Sequence, residues 1–215
     1  MTAMTALAIA CAVLGVLALA LLLRLRGLSK ALRRTEAESR RSRRLADLDA
    51  LTGLHNRRYF HETLAREVAR AGRYGRSLAL VILDIDDFKA INDEIGHLAG
   101  DAVLSEVAKR LRAVVRSADI ACRVGGDEFA VILPESSAAD AEQLYHRVRR
   151  AVAAAPVEQA GHMDLSGGIA ERLDGEDPPT LFERADEALY RAKALGKGRA
   201  VWSDANRPPG TASSR

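Results

Sequence analysis

The sequence predicts an α+β fold: a ferredoxin-like, palm-type sheet, rich in antiparallel pairs and covered by helices, preceded by a transmembrane helix and a helical stalk. Three observations predict it. Residues 1–23 carry no charge and are mostly Ala, Leu, Val and Ile. From Asp49 onward, segments with helical spacing and segments with the apolar density of strands alternate. Their order is helix, strand, helix, helix, strand, strand, helix, strand, helix. Two of those strands flank Gly125-Gly126, the punctuation of a hairpin.

The uncharged segment comes first. Twenty-three residues at ~1.5 Å each reach about 34 Å, enough to cross a ~30 Å hydrocarbon layer as a helix. A secretory signal would place basic residues before a shorter apolar run, and neither is present. Arg24, Arg26, Lys30, Arg33 and Arg34 follow at once, so the C-terminal end of the span is expected to face the cytoplasm. Residues 24–48 hold no proline and one glycine, with Leu25, Leu28 and Leu32 at helical spacing. They read as a basic juxtamembrane stalk. Its weak heptads leave two readings open: pairing with a second copy, or a solvated linker helix held near anionic lipid.

Residues 49–203 read as one globular domain. A helix over 57–72 puts Phe60, Leu64 and Val68 on one face. The strand over 77–85 is wholly apolar from Leu78 to Leu83, so it is expected to be buried. A short helix over 87–95 and a long one over 99–115 follow, the latter with Val103, Val107, Leu111 and Val114 in register. Strands over 120–124 and 128–133 form the hairpin. A helix over 138–154 carries Leu144, Val148 and Val152. A strand over 163–170 contains Gly167-Gly168, which are expected to soften it. The helix over 179–195 is buried through Leu181, Ala185, Leu189 and Ala192, and 199–202 is a short last strand. Residues 204–215, polar with two prolines, read as a disordered tail.

Composition excludes several function classes. Aromatic residues are few (four Phe, four Tyr, one Trp), so the core is aliphatic and a base-stacking platform for single-stranded nucleic acid is not expected. Cys11 and Cys122 give neither a disulfide framework nor a thiolate metal cluster. The net charge of +3 is not a nucleic-acid footprint, because residues 1–50 carry a balance of +5 and the rest a balance of −2.

The chemistry lies in the acidic residues at strand ends. Asp84 closes the first buried strand, and Asp127 and Glu128 stand at the hairpin turn. If those strands are neighbours, three carboxylates converge, and crowded carboxylates call for a cation. An oxygen-only donor set fits Mg²⁺ or Mn²⁺ bridging phosphates. Gly125 and Gly126 remove side chains just before the acids, so a bulky ligand can approach the backbone. The word Gly125-Gly126-Asp127-Glu128-Phe129 has a chance occurrence on the order of 10⁻⁴ in such a chain.

That word resembles the signature of the GGDEF-domain diguanylate cyclases, and three further blocks resemble the same family in order. They are the opening segment 49–58, the stretch 84–93 followed by Gly96-His97 and Gly100-Asp101, and the last helix 185–193. The resemblance implies a cyclase that joins two GTP molecules into cyclic di-GMP, releasing two pyrophosphates, as a homodimer holding one GTP per subunit. It implies metal ions on Asp84, the Ile85 carbonyl and Asp127, with Asp127 or Glu128 taking the proton. Asn92 and Asp101 would read the guanine edge, and His97 would sit beside the substrate. The main-chain N–H groups of Phe88 and Lys89, with Lys193, would meet the phosphates. Where the family often has Gly-Arg-Asn-Arg, this chain has Gly196-Lys197-Gly198-Arg199, so Lys197 keeps a charge and loses the planar fork. Arg116 and Asp119 resemble the family's product-inhibition site, since Arg reads guanine O6 and N7 and Asp its opposite edge, and Arg147 stands where a second arginine is often supplied. The implied location is the bacterial inner membrane, single-pass, with the catalytic domain in the cytoplasm. The alternative is a non-catalytic cyclic di-GMP receptor built on Arg116 and Asp119.

Overall fold

The computed structural model describes residues 47–206 except Gln159, together with Arg24. The predicted span over 1–23, nearly all of the stalk over 24–48 and residues 207–215 of the predicted tail lie outside the described residues. Among the described residues no helix is long and apolar enough to cross a membrane.

One compact unit begins at Asp47, two residues before the start read from sequence. Leu48 bridges His55, and Asn56 N–H donates to the Asp47 carbonyl at 2.9 Å, so the end of the predicted stalk is already tied into the globular part. The elements are α1 (Arg57–Tyr74), β1 (Leu78–Ile85), α2 (Phe88–Ile95), α3 (His97–Val114), β2 (Ile120–Arg123), β3 (Glu128–Pro134), α4 (Ala138–Ala153), β4 (Leu165–Glu171), α5 (Pro178–Ala194) and β5 (Ala200–Trp202).

The sheet runs β2-β3-β1-β4-β5. β1 is antiparallel to both β3 and β4, and β2 to β3, which is the ferredoxin-like order; β5 adds a parallel edge strand beside β4. β1 is central because it is apolar on both faces. Ala79, Val81, Leu83 and Ile85 pack under α3 and α4 with Val103, Val107, Leu111 and Val148. Leu78, Leu80 and Ile82 pack under α1 and α5 with Phe60, Leu64, Leu181, Ala185 and Leu189. Alternation along the strand then carries Asp84 to the α1/α5 side.

Helix ends follow their capping residues. Asn56 caps α1, Ser137 and Asp140 form a capping box at α4, and Asp177 with two prolines opens α5. α3 begins at His97, two residues earlier than expected, because Gly96 at φ 88 turns the chain directly from α2 into α3. Asp101 therefore sits inside the helix.

Two expectations are corrected. Gly167 does not soften β4: a Cβ there would stand 2.7 Å from the Tyr145 ring, which is fully buried and donates its hydroxyl to the Leu165 carbonyl at 2.8 Å. The aromatic ring takes the room a β-branched residue would fill. Gly168 lets the α5 backbone at Ala185 and Leu189 lie directly on the strand. The tail is not loose from residue 204, since Asp204–Asn206 forms a 3₁₀ turn. Asn206 Oδ1 accepts from Glu171 N–H at 2.9 Å and from the Arg184 guanidinium at 2.8 Å.

Candidate active site

The register of β1 and β3 places Asp84 directly opposite Glu128, and the Asp127 carbonyl accepts from Ile85 N–H at 3.4 Å. The end of the central strand and the first residues after the turn are thus stitched together. Asp84 is 5% exposed, whereas Asp127 and Glu128 are half-buried. Lys193, from the last turn of α5, reaches Asp84 Oδ2 at 2.6 Å. Burial nevertheless pushes the Asp84 carboxyl up to about 6, against the pull of Lys193 and with a further push from Asp127 and Glu128. Burial raises Glu128 as well, and Asp186 on α5 adds to it. Lys193 and, at Glu128, Arg57 pull these carboxyls down, but burial and their mutual repulsion outweigh that pull.

The turn owes its shape to its neighbours. Gly125 has a negative φ, and a Cβ there would stand 2.4 Å from an oxygen of the Glu128 carboxylate, which folds back over it, so the Glu128 side chain would have to move. Gly126 faces open space, with nothing within 4 Å of where a Cβ would stand. Arg123 braces the turn from beneath. Its Nη2 donates to the Gly126 carbonyl at 2.7 Å and its Nη1 to Asp49 at 3.1 Å. Asp49 in turn accepts from the Thr52 hydroxyl at 2.6 Å, so the opening segment is built into the same brace. Sequence reading did not single out this role of Arg123.

An open hollow of about 440 Å³ lies over this corner. Of the residues picked from sequence, Asp84, Ile85, Asp127, Phe88, Lys89, Lys193 and Lys197 line it. Phe88 and Lys89 form the first turn of α2, whose N-cap residue Asp87 makes no side-chain bond to the helix. Their N–H groups are free of a side-chain cap, as an anion site at a helix start requires. Asp86 and Asp87 also line the hollow; Asp86 holds the backbone of the loop after α5, and Asp87 meets that loop only through a side chain. Asp86 accepts from Gly198 N–H at 2.9 Å and from the Ser166 hydroxyl at 2.6 Å, and Asp87 accepts from Lys197 at 2.6 Å.

Glu128, Asn92, His97 and Asp101 do not line that hollow: the Glu128 carboxylate lies over Gly125, and the other three stand at the α2–α3 junction beside it. Gly100 is buried beneath the Asn92 amide, which a Cβ at that position would displace. The glycine thus brings Asn92 against the turn of α3 that carries the exposed Asp101. His97 is exposed at the first position of α3.

Two carboxylates, Asp84 and Asp127, and the main chain at Ile85 are the oxygen donors this corner offers a divalent cation. Among the described residues no three Asp, Glu, His or Cys side chains form a ready-made cage. This set fits a hard cation that keeps waters and takes its remaining ligands from phosphate oxygens.

Arg116 and Asp119 form a closed turn after α3. Arg116 N–H donates to Asp119 Oδ2 at 2.9 Å and Asp119 N–H to the Arg116 carbonyl at 3.1 Å, leaving the guanidinium exposed. The Asp140 carboxyl, held low by Ser137, also feels Arg116, which sets that arginine near the start of α4. Two turns along α4, Arg147 lines a broad hollow of about 700 Å³ with Arg149 and Arg150. Arg149 is bound to Asp164 at 2.6 and 2.7 Å, while Arg147 is half-buried.

The chain is similar to known proteins in sequence and in fold. DgcP, a diguanylate cyclase of Pseudomonas aeruginosa, is 48% identical over 73% of this chain, which corresponds to 24% of DgcP. The response regulator PleD of Caulobacter vibrioides is 43% identical over 73% of this chain and 36% of its own length. The chain thus spans between a quarter and about a third of these curated relatives. The coiled coil and GGDEF domain of DgcB from Caulobacter crescentus, solved in complex with c-di-GMP, superposes with a TM-score of 0.76 at 35% identity. It covers 83% of this chain and 97% of that one. The sequence model of the family described as "Diguanylate cyclase, GGDEF domain" matches residues 46–199, from the segment braced by Arg123 to the loop held by Asp86. On these grounds the chain belongs to the GGDEF-domain diguanylate cyclase family.

Proposed function

We propose that this chain condenses two GTP molecules into cyclic di-GMP and two pyrophosphates, as a homodimer anchored in the bacterial inner membrane by residues 1–23, with the described domain in the cytoplasm. The observation that carries the reading is the pairing of β1 with β3, which sets Asp84 and Asp127 at one hollow that Lys193 and Lys197 also line.

In this reading Asp84, Asp127 and the Ile85 carbonyl hold a divalent cation, Mg²⁺ or Mn²⁺. When bound, that cation screens the triphosphate and lowers the pKa of the attacking hydroxyl. The chain's own groups do the rest. Phe88 and Lys89 offer main-chain N–H groups to the β- and γ-phosphates. Lys193 and Lys197 add point charges that favour the pyrophosphate leaving group as its charge grows. Asn92 and Asp101 select guanine, the anionic Asp101 accepting from the ring N–H and amino group. His97 stands at the rim beside the base.

The 3′-hydroxyl of the GTP in one subunit attacks the α-phosphorus of the GTP in the other. A bond forms between O3′ and that phosphorus, and the bond to the pyrophosphate oxygen breaks. The hydroxyl proton passes to a carboxylate of the turn. Glu128, raised by burial, is better matched to that task than an ordinary carboxylate. The same step repeated in the opposite sense closes the ring. Product feedback acts through Arg116, Asp119 and Arg147. The receptor alternative is disfavoured because Gly125, Gly126, Asp127 and Glu128 are all present and brought together with Asp84.

The test is incubation of purified full-length chain with GTP and Mg²⁺ and identification of the nucleotide product by mass. Cyclic di-GMP and pyrophosphate are expected, and Asp127→Ala with Glu128→Ala abolishes both. Binding of cyclic di-GMP without turnover would favour the receptor.

A further inference from the structure

We infer that Asp87 is an internal stand-in for phosphate: its carboxylate occupies Lys197 across the mouth of the hollow, and an incoming triphosphate must displace it, so that Asp87 sets how tightly GTP binds. The inference rests on reading that hollow as the triphosphate site.

Lys197 Nζ lies 2.6 Å from Asp87 Oδ1, although the two residues are 110 positions apart. Both have left-handed backbones, at φ 58 for Asp87 and φ 60 for Lys197, and among the described residues Glu135 is the one other non-glycine with positive φ. Left-handed non-glycine residues are uncommon and collect at ligand clamps. Here two of them face each other at the site.

The loop that presents Lys197 does not depend on this pair. Its backbone is fastened separately, by Gly198 N–H to Asp86 at 2.9 Å and by Lys197 N–H to the Ala192 carbonyl at 3.1 Å. Removing the Asp87 carboxylate therefore frees the ammonium without moving the loop. This decides the sign of the effect: the carboxylate competes for Lys197 and, being an anion at the rim, repels a triphosphate as well.

The second ion pair of the hollow behaves differently. Asp84 gives up Lys193 but gains a divalent cation in exchange, as proposed above. Asp87, 68% exposed, gains only water, so its displacement is a net cost to binding. An exposed pair of this kind has a strength that corresponds to a change of about two- to five-fold in affinity.

The experiment compares the full-length chain with Asp87→Asn, Lys197→Met and the double variant. It reads KM and kcat for GTP, and direct binding of a non-hydrolysable GTP analogue with Mg²⁺ by calorimetry. Asn accepts a left-handed backbone, so Asp87→Asn is expected to fold as the parent does. If it does not, Asp87→Gly, free at φ 58, carries the same comparison. Asp87→Asn is expected to lower both KM and the analogue's Kd about two- to five-fold, with kcat changed less than about two-fold. The gain should fade in about 0.5 M salt and shrink to less than about half on the Lys197→Met background. Unchanged or weaker binding in Asp87→Asn overturns the inference. So does an equal gain on both backgrounds, which would make Asp87 a repelling charge without a competing role. Absence of cyclic di-GMP from the unmodified chain would instead overturn the proposed function.

Discussion

Arg123 and Asp49 meet in an ion pair 74 residues apart in the chain, Nη1 lying 3.1 and 3.3 Å from the two carboxylate oxygens. The same guanidinium holds the Gly126 carbonyl. The segment by which the chain enters the domain is thus fastened to the turn that carries Asp127 and Glu128. Arg123→Lys keeps the charge but not the fork. It should lower turnover about ten-fold through misplacement of the turn, and stability by about 1–2 kcal/mol. Steady-state kinetics and urea melts check both, and unchanged turnover contradicts the brace.

The two glycines of the turn should respond differently to alanine. A methyl group at Gly126 meets nothing within 4 Å, so Gly126→Ala should leave the melting temperature within a few degrees. It should still weaken GTP binding at least about ten-fold if, as in the proposed function, the nucleotide approaches the backbone there. Gly125→Ala should force Glu128 out of place and lose turnover as well. Thermal melts paired with binding of a GTP analogue separate these outcomes.

Tyr145 and Gly167 are complementary in volume. Gly167→Val alone should destabilise the protein by about 2–3 kcal/mol through overpacking, and Tyr145→Ala by about 3 kcal/mol through the cavity left behind. Combined, the two should cost at least about 1 kcal/mol less than their sum, by the coupling expected of residues in contact. Additive losses measured by denaturant unfolding would show that the ring and the strand do not share that space.

The pH dependence follows from Asp84. Its carboxyl is raised from 3.8 to about 6 in the folded protein, chiefly by burial. Between those values the folded chain holds more protons than the unfolded one, so stability falls as pH rises from about 4 to about 6 and stays lower above that. Without divalent cation, Asp84→Asn should be more stable than the parent at about pH 8 by on the order of 2 kcal/mol, and equal to it below about pH 4. Thermal melts across that range check it; equal stability at both ends contradicts it.

The parts of the corner at Asp84 are legible in sequence because each is local: an apolar run ending in Asp84 reads as a buried strand, and Gly125-Gly126 as a hairpin turn that carries Asp127 and Glu128. Their meeting is not local, since it needs β1 to pair with β3. The order of elements indicates the ferredoxin-like class of sheet. What stayed hidden depends on distant partners. Gly167 looks like a weak point until Tyr145 is seen to fill the space, and Asn206 looks like tail until Arg184 and Glu171 claim it. Arg123, Asp86 and Asp87 sit in or beside recognised words, yet their roles come from Asp49, Gly198 and Lys197, which no periodicity connects to them. The start of α3 was misplaced because Gly96 joins two helices with no intervening loop.

The proposed function requires Asp84 and Asp127 together to hold a divalent cation beneath a bound triphosphate. A crystal structure of the chain with Mn²⁺ and a non-hydrolysable GTP analogue, read through the anomalous signal of the metal, tests it most directly. A peak is expected at about 2.1 Å from carboxylate oxygens of both residues, with the phosphates against the first turn of α2. A nucleotide bound elsewhere, or manganese that touches neither carboxylate, would contradict it.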